Sequence, residues 1–99
     1  IVRERQALCR DLKILGWHFN TDGISAGEGA RIEDCFFRVA DDAVKPFVSD
    51  TRIRRCVFWM DSVTPFQLTY NAMRDSGGSS VSDCDVIHHV PFWRPDCLA

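Results

Sequence analysis

The sequence predicts an α+β domain in which two helices pack on one face of an antiparallel sheet. Three observations favour this fold class. Apolar residues recur at helical spacing in residues 1–15 and 51–61. Apolar and polar residues alternate in 31–39 and again in 85–93, as they do in strands. Segments rich in glycine, serine or proline separate these stretches. The expected order, helix–strand–turn–strand–helix with a short last strand, suits a ferredoxin-like layer.

The first predicted helix covers residues 1–15, and its apolar face has the i, i+4, i+7 spacing of an amphipathic helix. That face consists of Ile1, Leu8, Leu12 and Leu15. Gly16 suits the left-handed residue that ends a helix. Residues 17–21 then alternate like a strand, which Asp22 and Gly23 break or bulge before it continues at 24–25.

The second predicted strand covers residues 31–39, after a glycine-containing turn at 26–29. Both of its faces carry a phenylalanine, which predicts a central strand that is covered on both sides. Phe37 and Val39 are expected to lie buried beneath the leucines of the first helix. Residues 41–46 are expected to form a loop.

The second predicted helix covers residues 51–61, after a cap at Ser49 and Asp50, and Pro65 ends it. Its arginines, at 52, 54 and 55, are expected to face solvent. Residues 66–70 suit a strand, with a short helix through Met73 as the alternative. A flexible loop at 75–82 and an edge strand at 85–93 complete the expected fold. No internal repeat is evident.

Composition limits the possible functions. Residues 1–99 fit a single small domain, and the absence of an initiator Met predicts a fragment or subunit of a larger protein. The formal charge of −2 argues against a nucleic-acid partner, and no apolar run predicts a membrane span. Five cysteines, an odd number without a CxxC pair, favour reduced thiols in a cytoplasmic protein over one or two disulfides.

Two segments carry a resemblance to a known family. The first is Gly16-Trp17-His18-Phe19, and the second is the turn and strand from Gly29 through Arg31-Ile32-Glu33-Asp34 to Asp41. Together with Lys45-Pro46 and Ser49-Asp50 they resemble the ACT domain over about residues 8–60. The resemblance implies a non-catalytic regulatory module that binds a small ligand such as an amino acid and that forms dimers. The ligand-binding residues it implies are Gly16, Trp17, Asp22 and Gly23.

No catalytic motif is apparent, so the sequence predicts a protein that is not an enzyme and that needs no cofactor. Cys84, His88, His89 and Cys97 are possible zinc ligands, but adjacent strand residues face opposite ways, and no metal site is expected. Asp83 and Asp85 suit a solvated acidic loop. The alternative function is a protein–protein interaction domain without a small ligand. Candidate anchors for a homo-oligomer or parent-protein contact are Trp17, Phe92 and Trp93.

Overall fold

A computed structural model describes residues 5–45, 49–61, 64–67 and 77–89, and these residues form ten short strands that pair only in parallel. In chain order the strands are β1 (Leu8–Arg10), β2 (Lys13–Leu15), β3 (Ile24–Ser25), β4 (Arg31–Glu33), β5 (Phe36–Val39), β6 (Val44–Lys45), β7 (Arg52–Arg54), β8 (Val57–Met60), β9 (Ser80–Ser82) and β10 (Asp85–His89).

The strands wind into a parallel β-helix with three faces. Sheet 1 has the order β1-β4-β7-β9, sheet 2 has the order β2-β5-β8-β10, and sheet 3 pairs β3 with β6. Coil 1 therefore contains β1–β3 and coil 2 contains β4–β6. Coil 3 contains β7, β8 and a bridge from Phe66 to Val44, and coil 4 contains β9 and β10. Each coil stacks on the one before it.

Corresponding positions of successive coils form columns of inward-pointing side chains. In sheet 1, Cys9, Ile32 and Ile53 are in register and buried. In sheet 2, Phe37 lies beneath Phe58, with parallel rings whose centroids are 5.0 Å apart. These columns form the hydrophobic core, so each coil buries its apolar residues against its neighbours.

The corner between sheets 1 and 2 is made by one residue in the left-handed region in every coil. Those residues are Asp11, Asp34, Arg55 and Asp83, with φ angles from 51° to 56°. Aspartate tolerates this conformation better than most residues. The next residue in each of coils 2 to 4 is a cysteine: Cys35, Cys56 and Cys84. These three thiols and that of Cys9 are free.

The predicted α+β fold with an antiparallel sheet is wrong, because the described residues contain no helix and every sheet is parallel. The first predicted helix contains β1 and β2 instead, and the second contains β7 and β8. The predicted strand at 31–39 is two strands, β4 and β5, which a corner separates into different sheets. A ferredoxin-like ACT fold is therefore excluded for this part of the chain.

The prediction that the chain lacks an internal repeat is also wrong. The register aligns Cys9 with Ile32, Ile53 and Val81, so equivalent positions recur after 23, 21 and 28 residues. The expected burial of Phe37 and Val39 is confirmed. The prediction that Leu8, Leu12 and Leu15 cover these two side chains is wrong, since the three leucines are 43% to 51% exposed.

Several expected features lie outside the described residues, namely the anchors Phe92 and Trp93, the possible ligand Cys97 and most of the segment at 66–73. Within the described ranges there is no helix that is long and apolar enough to cross a membrane.

Candidate active site

The four residues predicted to bind a ligand lie on one segment, residues 16–23, which connects β2 of sheet 2 to β3 of sheet 3. The backbone N–H of Gly16 donates to the carbonyl of Arg38 at 2.9 Å, and that of Gly23 donates to the carbonyl of Asp42 at 2.9 Å. This segment, the coil 1 corner, is therefore held against coil 2 at both of its ends.

The two glycines of the coil 1 corner have a packing role. A Cβ atom on Gly23 would lie 2.1 Å from the carbonyl oxygen of Ala43, which is part of the backbone of coil 2. A Cβ atom on Gly16 would lie 2.0 Å from the methyl group of Thr21. Gly23 needs glycine because the backbone of coil 2 approaches too closely for any side chain, whereas a side chain at position 16 would require that of Thr21 to move. The prediction that Gly16 ends a helix is wrong, because strand β2 precedes it.

Asp22 belongs to a cluster of charged side chains that spans coils 1 and 2. Lys45, in β6, places its Nζ atom 2.5 Å from Oδ2 of Asp22 and 3.7 Å from Oδ2 of Asp42. Asp41 precedes Asp42, and its Oδ1 accepts the backbone N–H of Asp42 at 2.8 Å. These four residues, Asp22, Asp41, Asp42 and Lys45, are the carboxylate cluster. Three acidic groups and one ammonium group thus share a single corner of the β-helix.

Strand register explains why the cluster forms. Ile24 pairs with Val44 in sheet 3, so the residues two positions earlier, Asp22 and Asp42, occupy equivalent places in successive coils. Coil 3 continues the column with Thr64, whose hydroxyl donates to Oδ1 of Asp42 at 3.1 Å. Neighbouring parallel strands lie about 4.8 Å apart, so side chains 20 residues apart in sequence become direct neighbours.

The carboxyl groups of the cluster differ in their surroundings. The side chain of Asp42 is only 3% exposed, whereas that of Asp22 is 41% exposed. Burial raises the pKa of Asp42, although the hydrogen bond from Thr64 and the charge of Lys45 act in the opposite direction. Burial acts to lower the pKa of Lys45, but the hydrogen bond to Asp22 and the three negative charges outweigh it and raise that pKa. One corner therefore combines a nearly buried carboxyl group, whose pKa is raised, with a more exposed carboxyl group that pairs closely with Lys45.

The sequence interpretation identified Asp22 but missed Asp41, Asp42 and Lys45, which it assigned to a loop. The available signal was a pair of adjacent aspartates directly after an alternating strand. The pair indicates a site only when the coil repeat is known, because the repeat places Asp42 beside Asp22.

The other candidate groups for chemistry do not assemble into a site. Asp83 is an exposed corner residue and Asp85 is an exposed residue that begins β10, as expected for solvated acids. His88 contacts Asp61, with His Nε2 and Oδ1 3.4 Å apart. Across the ranges that the structure describes, no group of histidine, cysteine, aspartate or glutamate side chains is arranged to hold a metal ion.

Comparison with known proteins finds relatives that this chain matches over a small part of their length. The chain is 30% identical over 78 residues to the dextranase of Arthrobacter globiformis and, equally, to the dextranase of Arthrobacter sp. (strain CB-8). It is 31% identical over 85 residues to the isopullulanase of Aspergillus niger. These matches cover 79% and 83% of this chain but only 12% and 15% of the lengths of the relatives. No family model and no solved structure matches the chain.

These relatives correct one prediction. Dextranase and isopullulanase are names of glycoside hydrolases, and all three relatives are therefore enzymes. The prediction that the protein is not an enzyme is contradicted by this similarity. The description of the chain as an α+β, ferredoxin-like regulatory ACT domain also conflicts with the all-strand structure and with the names of these relatives. The chain is instead similar to a short section of enzymes that cleave glycosidic bonds.

Proposed function

We propose that this chain is part of a glycoside hydrolase that acts on an α-glucan, and that Asp22, Asp41 and Asp42 supply its acid and base. The observation that carries the proposal is the convergence of Asp22 and Asp42 on Lys45, beside Asp41. The names of the relatives support the substrate class, since dextran and pullulan are both polymers of α-linked glucose.

The chemistry of glycoside hydrolysis requires two carboxyl groups in different protonation states. One donates a proton to the departing oxygen, and the other, as a carboxylate, activates water or attacks the sugar. Burial moves the pKa of Asp42 in the direction that a proton donor needs. Asp22 is more exposed and forms the shorter of the two ion pairs with Lys45. The cluster thus places a buried and an exposed carboxyl group in different surroundings within one corner, and the partly exposed Asp41 provides a third carboxyl group.

The first experiment replaces each carboxyl group of the cluster with an amide in the full-length protein. We expect Asp22→Asn, Asp41→Asn and Asp42→Asn each to lower the release of reducing sugar from dextran or pullulan by about 10²–10⁴-fold, the usual contribution of an acid or base. Asp83→Asn is the matched control, since it makes the same charge change at an exposed corner and should leave the rate unaltered. Wild-type rates in all three cluster variants, or no cleavage of either glucan, would refute the proposal.

A second measurement assigns the roles. The variant that lacks the proton donor should retain most of its rate on a glycoside with a 2,4-dinitrophenyl leaving group, which departs without protonation. The variants that lack the base should lose activity on both kinds of substrate. Circular dichroism and thermal unfolding of each variant establish that the β-helix is intact.

Binding of a free amino acid at Gly16, Trp17, Asp22 and Gly23 stays a prediction. A thermal-shift comparison of the twenty amino acids with isomaltose and panose tests it in parallel, because ligand binding to the folded state raises its unfolding temperature. Gly23→Val is unsuitable as a control, since its side chain would collide with the carbonyl of Ala43. Asp22→Asn removes a side-chain contact without adding volume and serves instead.

A further inference from the structure

A column of planar side chains runs along the outer surface of sheet 2. Arg38, Trp59 and His88 are in register on β5, β8 and β10. The guanidinium carbon of Arg38 lies 5.0 Å from the ring centroid of Trp59, and the rings of Trp59 and His88 are stacked with centroids 4.8 Å apart. Arg38 also lies 5.8 Å from the ring centroid of Trp17, in coil 1. These four residues form the planar ladder.

One carboxylate fixes three members of the ladder. Asp61, directly after β8, accepts hydrogen bonds from Nε of Arg38 and from Nε1 of Trp59, both at 3.0 Å. Its other contact is Nε2 of His88 at 3.4 Å. The planar groups of Arg38, Trp59 and His88 are therefore held in place before any ligand arrives, which lowers the entropy cost of binding.

Trp17 is the exposed end of the ladder. It is 66% exposed, more than the other exposed large hydrophobic residues in the described part of the chain. The cation–π contact with Arg38 orients its ring, and most of its surface faces solvent. A large aromatic surface that is fixed in orientation but uncovered is typical of a binding surface.

The exposed tryptophan and the carboxylate cluster share the corner between sheets 2 and 3. Trp17 and Asp22 both belong to the coil 1 corner, which folds back on itself: the hydroxyl of Thr21 donates to the carbonyl of His18, and Gly16 packs against Thr21. In coil 2, Arg38 is three residues before Asp41. The same two coils thus carry both the aromatic surface and the acidic groups.

We infer that the exposed face of Trp17 is a sugar-binding subsite, which holds one glucose unit of an α-glucan chain beside the carboxylate cluster. This inference rests on the proposed function. The C–H groups on one face of a glucose ring are apolar and stack on an indole ring, while its hydroxyl groups remain free for polar partners. Arg38, which contacts Trp17 and is held by Asp61, is a polar group of the kind that orients a ligand in a largely apolar site.

The test measures the affinity of isomalto-oligosaccharides and of panose for the full-length protein by titration calorimetry. An Asp41→Asn background slows turnover during the titration. We expect Trp17→Ala to weaken binding of the longer oligosaccharides by about tenfold, and Trp17→Phe to weaken it less, because phenylalanine keeps an aromatic face. Leu8→Ala is the matched control: Leu8 is 43% exposed and lies on β1 of sheet 1, away from the planar ladder, and its loss should leave the affinity unchanged.

The outcomes separate this inference from the proposed function. If the aspartate variants lose glucan cleavage but Trp17→Ala binds oligosaccharides as the parent does, the subsite is refuted and the enzyme function stands. If the protein cleaves no glucan but binds oligosaccharides through Trp17, the subsite stands and the enzyme function fails. Trp17 would instead be an anchor for a second copy if Trp17→Ala converts a dimer to a monomer in sedimentation without altering sugar affinity. Absence of oligosaccharide binding to the parent protein would also refute the subsite.

Discussion

At the scale of the residue, the spacing of the buried side chains in a coil of the β-helix resembles that of an α-helix in one part and that of a strand in another. In coil 2 the inward residues are Ile32, Cys35, Phe37 and Val39, and coil 3 repeats them as Ile53, Cys56, Phe58 and Met60. Their spacing of three, two and two residues arises because each corner inserts one additional position. A spacing of three matches a helix and a spacing of two matches a strand. Local periodicity therefore predicted a strand in coil 2, at 31–39, and a helix in the equivalent part of coil 3, at 51–61.

Phe37 gives the most direct test of the core at this scale. Its side chain is fully buried and stacks on Phe58 in the next coil. We expect Phe37→Ala to lower the free energy of unfolding by about 3–5 kcal/mol, because the ring leaves a cavity that the stacked coils cannot fill. Urea unfolding monitored by circular dichroism measures the change. Leu8→Ala, at a 43% exposed position, is the control and should cost far less; equal costs would contradict the assignment of the core.

At the scale of the element, ion pairs connect the ends of neighbouring strands in sheet 1. Glu33, which ends β4, is 2% exposed and lies between Arg10 of β1 and Arg54 of β7. Arg55 also contacts Glu33 and forms two hydrogen bonds with Asp34, at 2.8 and 3.0 Å. The sequence interpretation placed Arg54 and Arg55 on a solvated helix face. Their carboxylate partners are 21 or 22 residues earlier, a separation that only the coil repeat explains.

Stability should therefore depend on pH through Glu33. The hydrogen bond from Arg54 lowers the pKa of Glu33, and the charges of Arg54, Arg10 and Arg55 act in the same direction. A lowered folded-state pKa stabilises the fold above the ordinary glutamate value of about 4.3, and this stabilisation is lost as the pH falls through the folded-state value. We expect wild type to exceed Glu33→Gln in unfolding free energy at pH 7, with the difference shrinking below pH 4. A difference that stays constant down to pH 3 would contradict this assignment.

At the scale of the whole molecule, stability is a sum of coils and of the contacts between them. Coils 2 and 3 have described neighbours on both sides, and their inward residues are buried. Coil 4 differs, since Val81 and Val86 are 48% and 46% exposed although they align with buried positions of coil 3. The sequence reveals the apolar content of each coil, but only the register of the stacked coils reveals which apolar positions face one another.

The rate of backbone hydrogen exchange should differ between the coils. We expect the backbone amides of β5 and β8 to exchange more slowly than those of β9, all of whose residues are exposed. Exchange measured by mass spectrometry on peptides from coils 2 and 4 tests the expectation. Equal protection of β5 and β9 would contradict the expectation.

The coil 1 corner has eight residues between β2 and β3, whereas the equivalent connection in coil 2, between β5 and β6, has four. The short connection carries Asp41 and Asp42, and its length leaves little freedom to move them. The long connection carries Trp17, and its ends are held against the neighbouring coil by the backbone N–H groups of Gly16 and Gly23. Insertions within residues 17–21 would therefore change the surroundings of Trp17 while Asp41 and Asp42, on the short connection, keep their positions. Asp22 lies on the long connection with Trp17, so under the proposed function only part of the carboxylate cluster would be insulated from changes in the sugar-binding surface.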